Sequence, residues 1–403
     1  MNSSSLKRAS KILFFDSHPV QYKAPVYQAL QRILPDTFEV VFASNASMRA
    51  GNIDREFGSE VVWDVPLMNG YANRVLNNEH GTPFTSPDSL TGHGIFSLLR
   101  REHPRAVVLT HFRYRFDQIA FISALMLRIP ILVRQETQDE LYAGKRPLAK
   151  SILRALVYRA LYAPCRHAFA FGELNYRHLL RHGVSKDRIT FARFSVPNPY
   201  VELKATEKAG RRADLRQKMG VPEGGLAVCF FGKFIAKKSP SLIFASLDYL
   251  TESVRSRLHL IFVGSGELQA RLQTLAEESK LRFGVPTTFT GFVNQTQLPD
   301  YYLAADIAVL PSSYEETWGL VVNEALNAGC GVVVTKAVGC QVEFAMLERV
   351  RVVETGNADA LAAGIAGLAG YTRDFDWAAE HMEKYSSQAA AKGIAAGMRN
   401  FLN

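Results

Sequence analysis

Short β-branched or aromatic runs alternate with segments of helical period along the chain, a pattern that predicts parallel α/β architecture. In the first half it predicts strands at Lys11–Phe15, Phe38–Ala43, Ala106–Thr110, Pro130–Arg134, His167–Phe171 and Arg188–Ala192. Helical patterns such as PVYQALQRIL, FDQIAFISALMLR and ELNYRHLLRHG fall between several of them. Residues 44–105 read as loops around one short strand, EVVWDV, because Gly51, Gly58, Gly70 and several asparagines interrupt them. Two prolines in SVPNPY (195–200) mark a linker, and the charged stretch KATEKAGRRADLRQKMG after it is expected to be a solvated helix. The rhythm then resumes with LAVCFFG, LHLIFVG, TTFTG, DIAVLP, GVVVT and VRVVE as strands. Two successive units of similar size predict an α/β fold of two Rossmann-like domains, residues 1–198 and 199–375, with parallel sheets facing across a cleft. Residues 376–403 are helical by pattern.

Length agrees: 403 residues exceed one ordinary core at roughly 150 residues per domain. An apolar content of 47% with 21% charged residues excludes wholesale disorder. No apolar run approaches the ~18 residues of a membrane span, and Ile12–Phe15 is shorter than a signal-peptide core of ~7–15 residues, so a cytoplasmic protein is expected. Cys165, Cys229, Cys330 and Cys340 form no C-x-x-C pair, which argues against a disulfide scaffold or zinc cluster; Cys229 reads as core. The net charge of +9 is uneven: residues 1–220 carry 32 basic and 19 acidic side chains (+13), residues 221–403 carry 15 and 19 (−4). The basic half should attract an anionic acceptor or a membrane surface; with no recognition motif present, nucleic acid is not expected.

The most informative segment is DIAVLPSSYEETWGLVVNEALNAGCGVVV (306–334). A strand runs into a loop, and a helix is expected from near Thr317–Gly319 to Gly329. Ligands in open α/β sheets sit at the carboxyl ends of strands, and a helix amino end offers N–H groups and a positive dipole to a diphosphate. Were Glu316 and Glu324 both helical, they would differ by about 80° and ~12 Å along the axis. The pattern Glu316-Thr-Trp318-Gly319 through Glu324 resembles the E-x7-E signature of glycosyltransferase family 4, the retaining GT-B enzymes. FFGKFIAKKSP resembles that family's G-R-x-x-x-x-K loop, with Gly232, Lys233 and Lys238 in its positions; lysine at 233 keeps the charge and loses the planar fork of arginine. The bland alternative is a solvated lysine-rich turn. FVGSGEL (262–268) lacks the third glycine of a dinucleotide fingerprint and suits a nucleotide-sugar turn at Gly264. FTGFVNQ resembles the family's base-contacting segment, at Phe292 and Val293.

The first half carries looser matches. His111 ends a strand where the family often has a histidine facing the reacting sugar, though a structural histidine fits equally well. In DSHPVQYKAP, His18, Gln21 and Lys23 are candidates for acceptor or donor contact, against a helix-entry turn fixed by Pro19 and Pro25. RQET (134–137) resembles R-G-E-S/T, making Glu136 an acceptor-side group or general base, or else half of a buried pair with Arg134. FGELNYRHLLRHGV again resembles the family and points to Glu173 as a cleft residue. The helix KRPLAKSILRALVYRALY puts Arg146, Lys150 and Arg154 on one stripe and Leu148, Ile152 and Leu156 on another; it suits either an anionic membrane or packing of the apolar stripe on its own sheet. Asp374-Phe-Asp376 fits a metal-binding D-x-D but lies far from a strand end and reads as a helix N-cap.

The resemblance implies a metal-independent glycosyltransferase of hexosyltransferase type that retains anomeric configuration and needs no cofactor. Its donor is a nucleotide-diphosphate sugar and its acceptor a glycan, lipid-linked or small-molecule hydroxyl in polysaccharide or glycoconjugate biosynthesis. Catalytic roles fall to Glu316, Lys238, Lys233 and His111. Donor or acceptor contacts fall to Gly232, Gly264, Phe292, Val293, Trp318, Gly319, Leu320, Glu324, His18, Gln21, Glu136 and Glu173. EKYSSQAAAKGI resembles terminal helices that return to the first domain. The alternatives are an epimerase or phosphorylase on the same scaffold, and a non-catalytic sugar-nucleotide-binding partner. Peripheral contact at the inner face of the membrane is expected through the basic half.

Overall fold

The computed structural model describes residues 11–48, 53–54, 59–60, 63–78, 86–140 and 147–402. Val61 and Val62 of EVVWDV, the Gly51 and Gly58 turns, and Arg146 lie outside them. The chain forms two compact units, one of residues 1–52, 66–195 and 387–403, the other of residues 53–65 and 196–386.

The first unit holds a seven-stranded sheet with the order Asn73–Asn78, Phe38–Ser44, Ile12–Asp16, Ala106–Leu109, Ile131–Val133, Cys165–Ala170, Ile189–Phe191. All its pairings are parallel. The central strands are apolar throughout because helices cover both faces; Ile12, Phe14, Phe15, Val107 and Val108 are fully buried. The edge strand Asn73–Asn78 breaks that rule. It pairs with Phe38–Ser44 and is pinned by Arg74, which forms ion pairs with Glu39 and Glu102. The helix Ser387–Met398 packs against helix Ala24–Ile33 and the strands Cys165–Ala170 and Ile189–Phe191. Its small residues permit that approach, since a Cβ on Gly393 would meet the Phe191 carbonyl oxygen at 2.0 Å.

The second unit holds a six-stranded sheet, order Thr287–Gly291, Leu258–Val263, Leu226–Phe231, Ile307–Leu310, Gly331–Thr335, Val350–Val353, again wholly parallel. Its core gathers Val228, Phe230, Leu260, Phe262, Ile307, Val309, Leu272 and Leu361. Cys229 is buried within the strand. The helix Ala205–Lys218 is anchored rather than merely solvated: Arg212 and Arg216 both form ion pairs with Asp306 at the foot of the sheet. Residues 376–386 belong to this unit, so the tail does not act as one helix; it breaks at Ser386. Asp374 and Asp376 do not cap a helix. Asp374 accepts the Asp376 N–H at 2.9 Å in a tight turn, and Asp376 binds Lys208 at 2.6 Å.

Among the described residues no helix is long and apolar enough to cross a membrane. The helix Leu148–Tyr162 is turned opposite to the packing expected of an amphipathic helix. Tyr158 and Tyr162 pack edge-to-face with His178, while Leu148, Ile152, Leu153, Leu156 and Val157 are all exposed, Leu148 by 76%. Arg154 points inward, over the Tyr158 ring and 3.5 Å from Asp139.

Candidate active site

In the second sheet the chain starts at the central strand Leu226–Phe231, adds two strands on one side, then crosses back to Ile307–Leu310 on the other. Loops diverge at such a switch point and leave a crevice at the strands' carboxyl ends. Lys238 and Glu316 lie on the two loops that leave these adjacent strands, and Lys238 Nζ is 2.6 Å from Glu316 Oε2. Both side chains are largely sheltered, at 17% and 13% exposure, so screening by solvent is limited. The two loops are also joined by the Ser313 N–H, which donates to the Lys237 carbonyl at 2.9 Å.

Glu316 is not helical. Residues 316–318 lie alongside 338–340, where Gly339 N–H donates to the Glu316 carbonyl and Cys340 N–H to that of Trp318. The helix begins at Leu320 with Gly319 as its cap at φ +94. A side chain there would meet Leu310 and Val338 at 2.7 and 2.8 Å, so the turn demands glycine. Trp318 is buried and its Nε1–H donates to Asn323 Oδ1, locking the first turn. Leu320 opens the helix, whose first N–H groups have no acceptor within it.

Glycines also pack the neighbouring strand ends together. Gly264 has φ +140, and a Cβ on it would lie 2.0 Å from the Gly232 carbonyl oxygen. Gly232 N–H donates to Val263, Phe234 N–H to Ser265, and Gly264 N–H to Gly291. The loop bearing Lys233 and Lys238 thus rests on the Gly264 turn. Phe292 and Val293 follow at the next strand end, half-buried, with Phe292 against Trp63 at 6.5 Å. Thr296 is held there by Asp64.

Glu324 faces a cavity of about 140 Å³, lined by Pro197, Pro199, Tyr200, Tyr302 and Asn327 among others. Tyr302 donates to Glu324 Oε2 at 2.5 Å. Burial raises the Glu324 pKa to about 7, with the Tyr302 hydrogen bond opposing the rise.

The first unit repeats the topology. Its switch point lies between Ile12–Asp16 and Ala106–Leu109, and a charged cluster occupies it. Asp16 accepts from Lys23 Nζ, Tyr27 Oη and Thr110 Oγ1, each at 2.9 Å. Burial would raise the Asp16 pKa, but Lys23 and these bonds outweigh it and hold it at about 2. Lys23 Nζ also lies 3.2 Å from His111 Nε2. Burial and Lys23 depress the His111 pKa to about 3, so His111 is a neutral imidazole and accepts that bond through Nε2. His18, bonded to Ser17 Oγ, is lowered to about 4 by burial. Glu136 accepts from Tyr22 at 3.2 Å and lies 3.9 Å from Lys23; these replace the expected pair with Arg134, which instead lies over the Phe171 ring and donates to the Ala192 carbonyl. Gln21 lies in the turn before the helix, half-buried. Glu173 joins no such cluster: it opens a helix and forms an ion pair with exposed Arg177. Asp16, Tyr22 and Tyr27 were not among the residues that sequence reasoning singled out. An acidic residue ending the first strand of an α/β unit, followed by a lysine near a helix entry, is the only signal that could have found the pair.

Residues 211–370 match the family of glycosyl transferases group 1. That segment contains Gly232, Lys233, Lys238, Gly264, Glu316, Gly319 and Glu324. The chain is similar to D-inositol 3-phosphate glycosyltransferase 2 of Catenulispora acidiphila, 30% identical over 215 residues, 50% of this chain and 49% of the relative. It is also similar to sulfoquinovosyl transferase SQD2 of Arabidopsis thaliana, 34% identical over 125 residues, 31% of this chain and 22% of the relative. The chain thus spans half or less of the length of these curated relatives. Among solved structures, Anabaena Alr3699/HepE in complex with UDP superposes with a TM-score of 0.69 at 15% identity, covering 97% of this chain and all of that one. Sucrose-phosphate synthase from Thermosynechococcus elongatus gives 0.68 at 18%, covering 97% and 98%. These likenesses establish the fold as that of GT-B glycosyltransferases, with two Rossmann-like parallel-sheet domains.

Proposed function

We propose that the chain is a retaining glycosyltransferase of the family 4 kind, moving a hexosyl group from a nucleotide-diphosphate sugar to a hydroxyl acceptor without a metal. The observation that carries this reading is the Lys238–Glu316 pair at the switch point of the segment that matches group 1 glycosyl transferases. In the reaction the bond between the anomeric carbon and the diphosphate oxygen breaks, and its electron pair leaves with the nucleotide. The acceptor oxygen bonds to the anomeric carbon on the face vacated and passes its proton to the departing diphosphate oxygen. Negative charge therefore grows on the departing diphosphate. Lys238, Lys233 and the helix mouth at Trp318–Leu320 stabilise it by preorganised electrostatics. Glu316 holds Lys238 in position and binds sugar hydroxyls; Glu324 binds the ribose; Phe292 and Val293 meet the base through their backbone. In the first unit, His111 is uncharged and, with Nε2 accepting from Lys23, offers its Nδ1–H to sugar hydroxyls, and Asp16 fixes Lys23 beside it.

A thermal-shift screen of UDP, GDP, ADP and dTDP sugars tests the reading. Stabilisation follows affinity by mass action, so one nucleotide family should raise the melting temperature above the rest. No response to any of them would contradict it, and an epimerised donor formed without acceptor would favour the epimerase alternative.

The exposed aliphatic face of Leu148–Tyr162 supports peripheral contact with an anionic membrane on the cytoplasmic side. The helix has no acidic residue and carries the exposed Lys150 and Arg159. Co-flotation with phosphatidylglycerol vesicles, absent with phosphatidylcholine and lost in Leu153→Glu, is the expected result; equal recovery of both proteins without lipid dependence would refute it.

A further inference from the structure

Outside the two switch points, one cluster of metal-ligating side chains stands out in the first unit. His178 and His182 are four residues apart, on the helix Glu173–Arg181 and the residue that caps it, so they share one helix face. Their side chains are 0% and 4% exposed. Asp139, on the segment after strand Ile131–Val133, comes between them: its Oδ2 is 3.0 Å from His178 Nδ1 and 3.1 Å from His182 Nε2. The three ligand atoms lie within 4.8 Å of one another, the only such group among the described residues.

Hydrogen-bond bookkeeping makes a simple hub unsatisfactory. Tyr162 Oη donates its one proton to Gln135 Oε1 at 2.9 Å and lies 3.0 Å from His178 Nε2. With that proton committed, His178 must carry its own hydrogen on Nε2 to bond Tyr162. Its Nδ1 then meets an Asp139 oxygen at 3.0 Å as a lone pair if the ring is neutral, so the contact closes either through a second proton on an imidazolium or through a cation held between the two atoms. Ligand atoms bonded at ~2.0–2.2 Å to one tetrahedral ion are about 3.3 Å apart, close to the two separations from Asp139 Oδ2 to the histidine nitrogens.

We propose that Asp139 Oδ2, His178 Nδ1 and His182 Nε2 form a site for a divalent late first-row transition ion, with Zn²⁺ the reference case. Two imidazoles four apart on a helix plus one carboxylate suit such ions and not Mg²⁺ or Ca²⁺. The surroundings supply an outer shell: Tyr162 fixes the His178 ring through Nε2, and Arg154, 3.5 Å from Asp139 Oδ1, holds the oxygen left over. Arg181 also touches Oδ2, but at 55% exposure it is able to swing into solvent. The site is structural. It ties the helix to residues 134–140, the segment that carries Glu136, and Asn175 strengthens the tie by donating to the carbonyls of Gln135 and Thr137.

The test is titration of the chelator-treated full chain with Zn²⁺ by calorimetry, and with Co²⁺ by visible absorption. One Zn²⁺ should bind per chain, with Co²⁺ giving the intense bands of a four-coordinate site. His182→Gln and Asp139→Asn should each weaken binding at least ~10-fold, as loss of a ligand or its support does, and should abolish the Zn²⁺-dependent rise in melting temperature. Absence of stoichiometric binding in the unsubstituted chain would overturn the proposal, whatever the variants do. Affinity unchanged from the parent in both variants would overturn it as well.

Discussion

Glu324 gives the sharpest quantitative expectation, because its carboxyl is displaced from 4.5 to about 7 by burial. The folded state holds this proton more tightly than the unfolded chain does. Between pH 4.5 and 7 the unfolded state therefore binds fewer protons, and stability falls as pH rises through that window. At about 1.4 kcal/mol for each pKa unit, the gap amounts to roughly 3 kcal/mol. Glu324→Gln keeps the shape and an oxygen for Tyr302 while removing the titration, so it should be neutral at pH 4.5 and more stable than the parent by roughly 2–3 kcal/mol at pH 8. All three tryptophans, Trp63, Trp318 and Trp377, lie in the second unit, so urea unfolding followed by tryptophan fluorescence reports on that unit. Asp117, also raised to about 7, belongs to the first unit and cancels in the difference between parent and variant. A difference that stays constant from pH 4.5 to 8, or runs with the opposite sign, would refute the reasoning.

Two further substitutions probe the switch points. Gly264→Ala must move the Gly232 carbonyl by about an ångström or adopt a strained backbone, so it should cost more than about 3 kcal/mol in the same fluorescence experiment; a cost within 0.5 kcal/mol would deny the close approach. Asp16→Asn removes the carboxylate beside buried Lys23, leaving it the neutral His111 at 3.2 Å and Glu136 at 3.9 Å, and should destabilise the first unit by about 3–5 kcal/mol, read by circular dichroism, with Lys23→Met added to it recovering much of the loss. An Asp16→Asn protein as stable as the parent would contradict the buried pair.

What the sequence revealed and what it hid follow from range. Leu226–Phe231, Leu258–Val263 and Gly331–Thr335 were legible because strands buried on both faces read as near-continuous apolar runs, broken here by His259 and closed by Thr335. Asn73–Asn78 was not: a polar edge strand owes its place to pairing with Phe38–Ser44 and to Arg74 bridging residues 35 and 28 positions away. The helix Leu148–Tyr162 showed its two stripes plainly, but periodicity does not say which stripe faces inward; Tyr158, Tyr162 and the buried histidines decide that. Lys238 and Glu316 were found as members of local motifs, whereas their contact, across 78 residues, needed the fold. Lys23 was a candidate through DSHPVQYKAP, whereas its pairing with Asp16 was not legible, since a buried charge pair leaves no local periodic trace.

The account rests on cationic side chains at the second switch point meeting a nucleoside diphosphate. Calorimetric titration of UDP, GDP, ADP and dTDP into the full chain and into Lys238→Ala measures this without knowledge of the acceptor. One diphosphate should bind the parent, and Lys238→Ala should weaken it by about 10- to 100-fold, the 1.5–3 kcal/mol of a charged hydrogen bond. A parent that binds none of the four, or a variant that binds with unchanged affinity, would contradict the account.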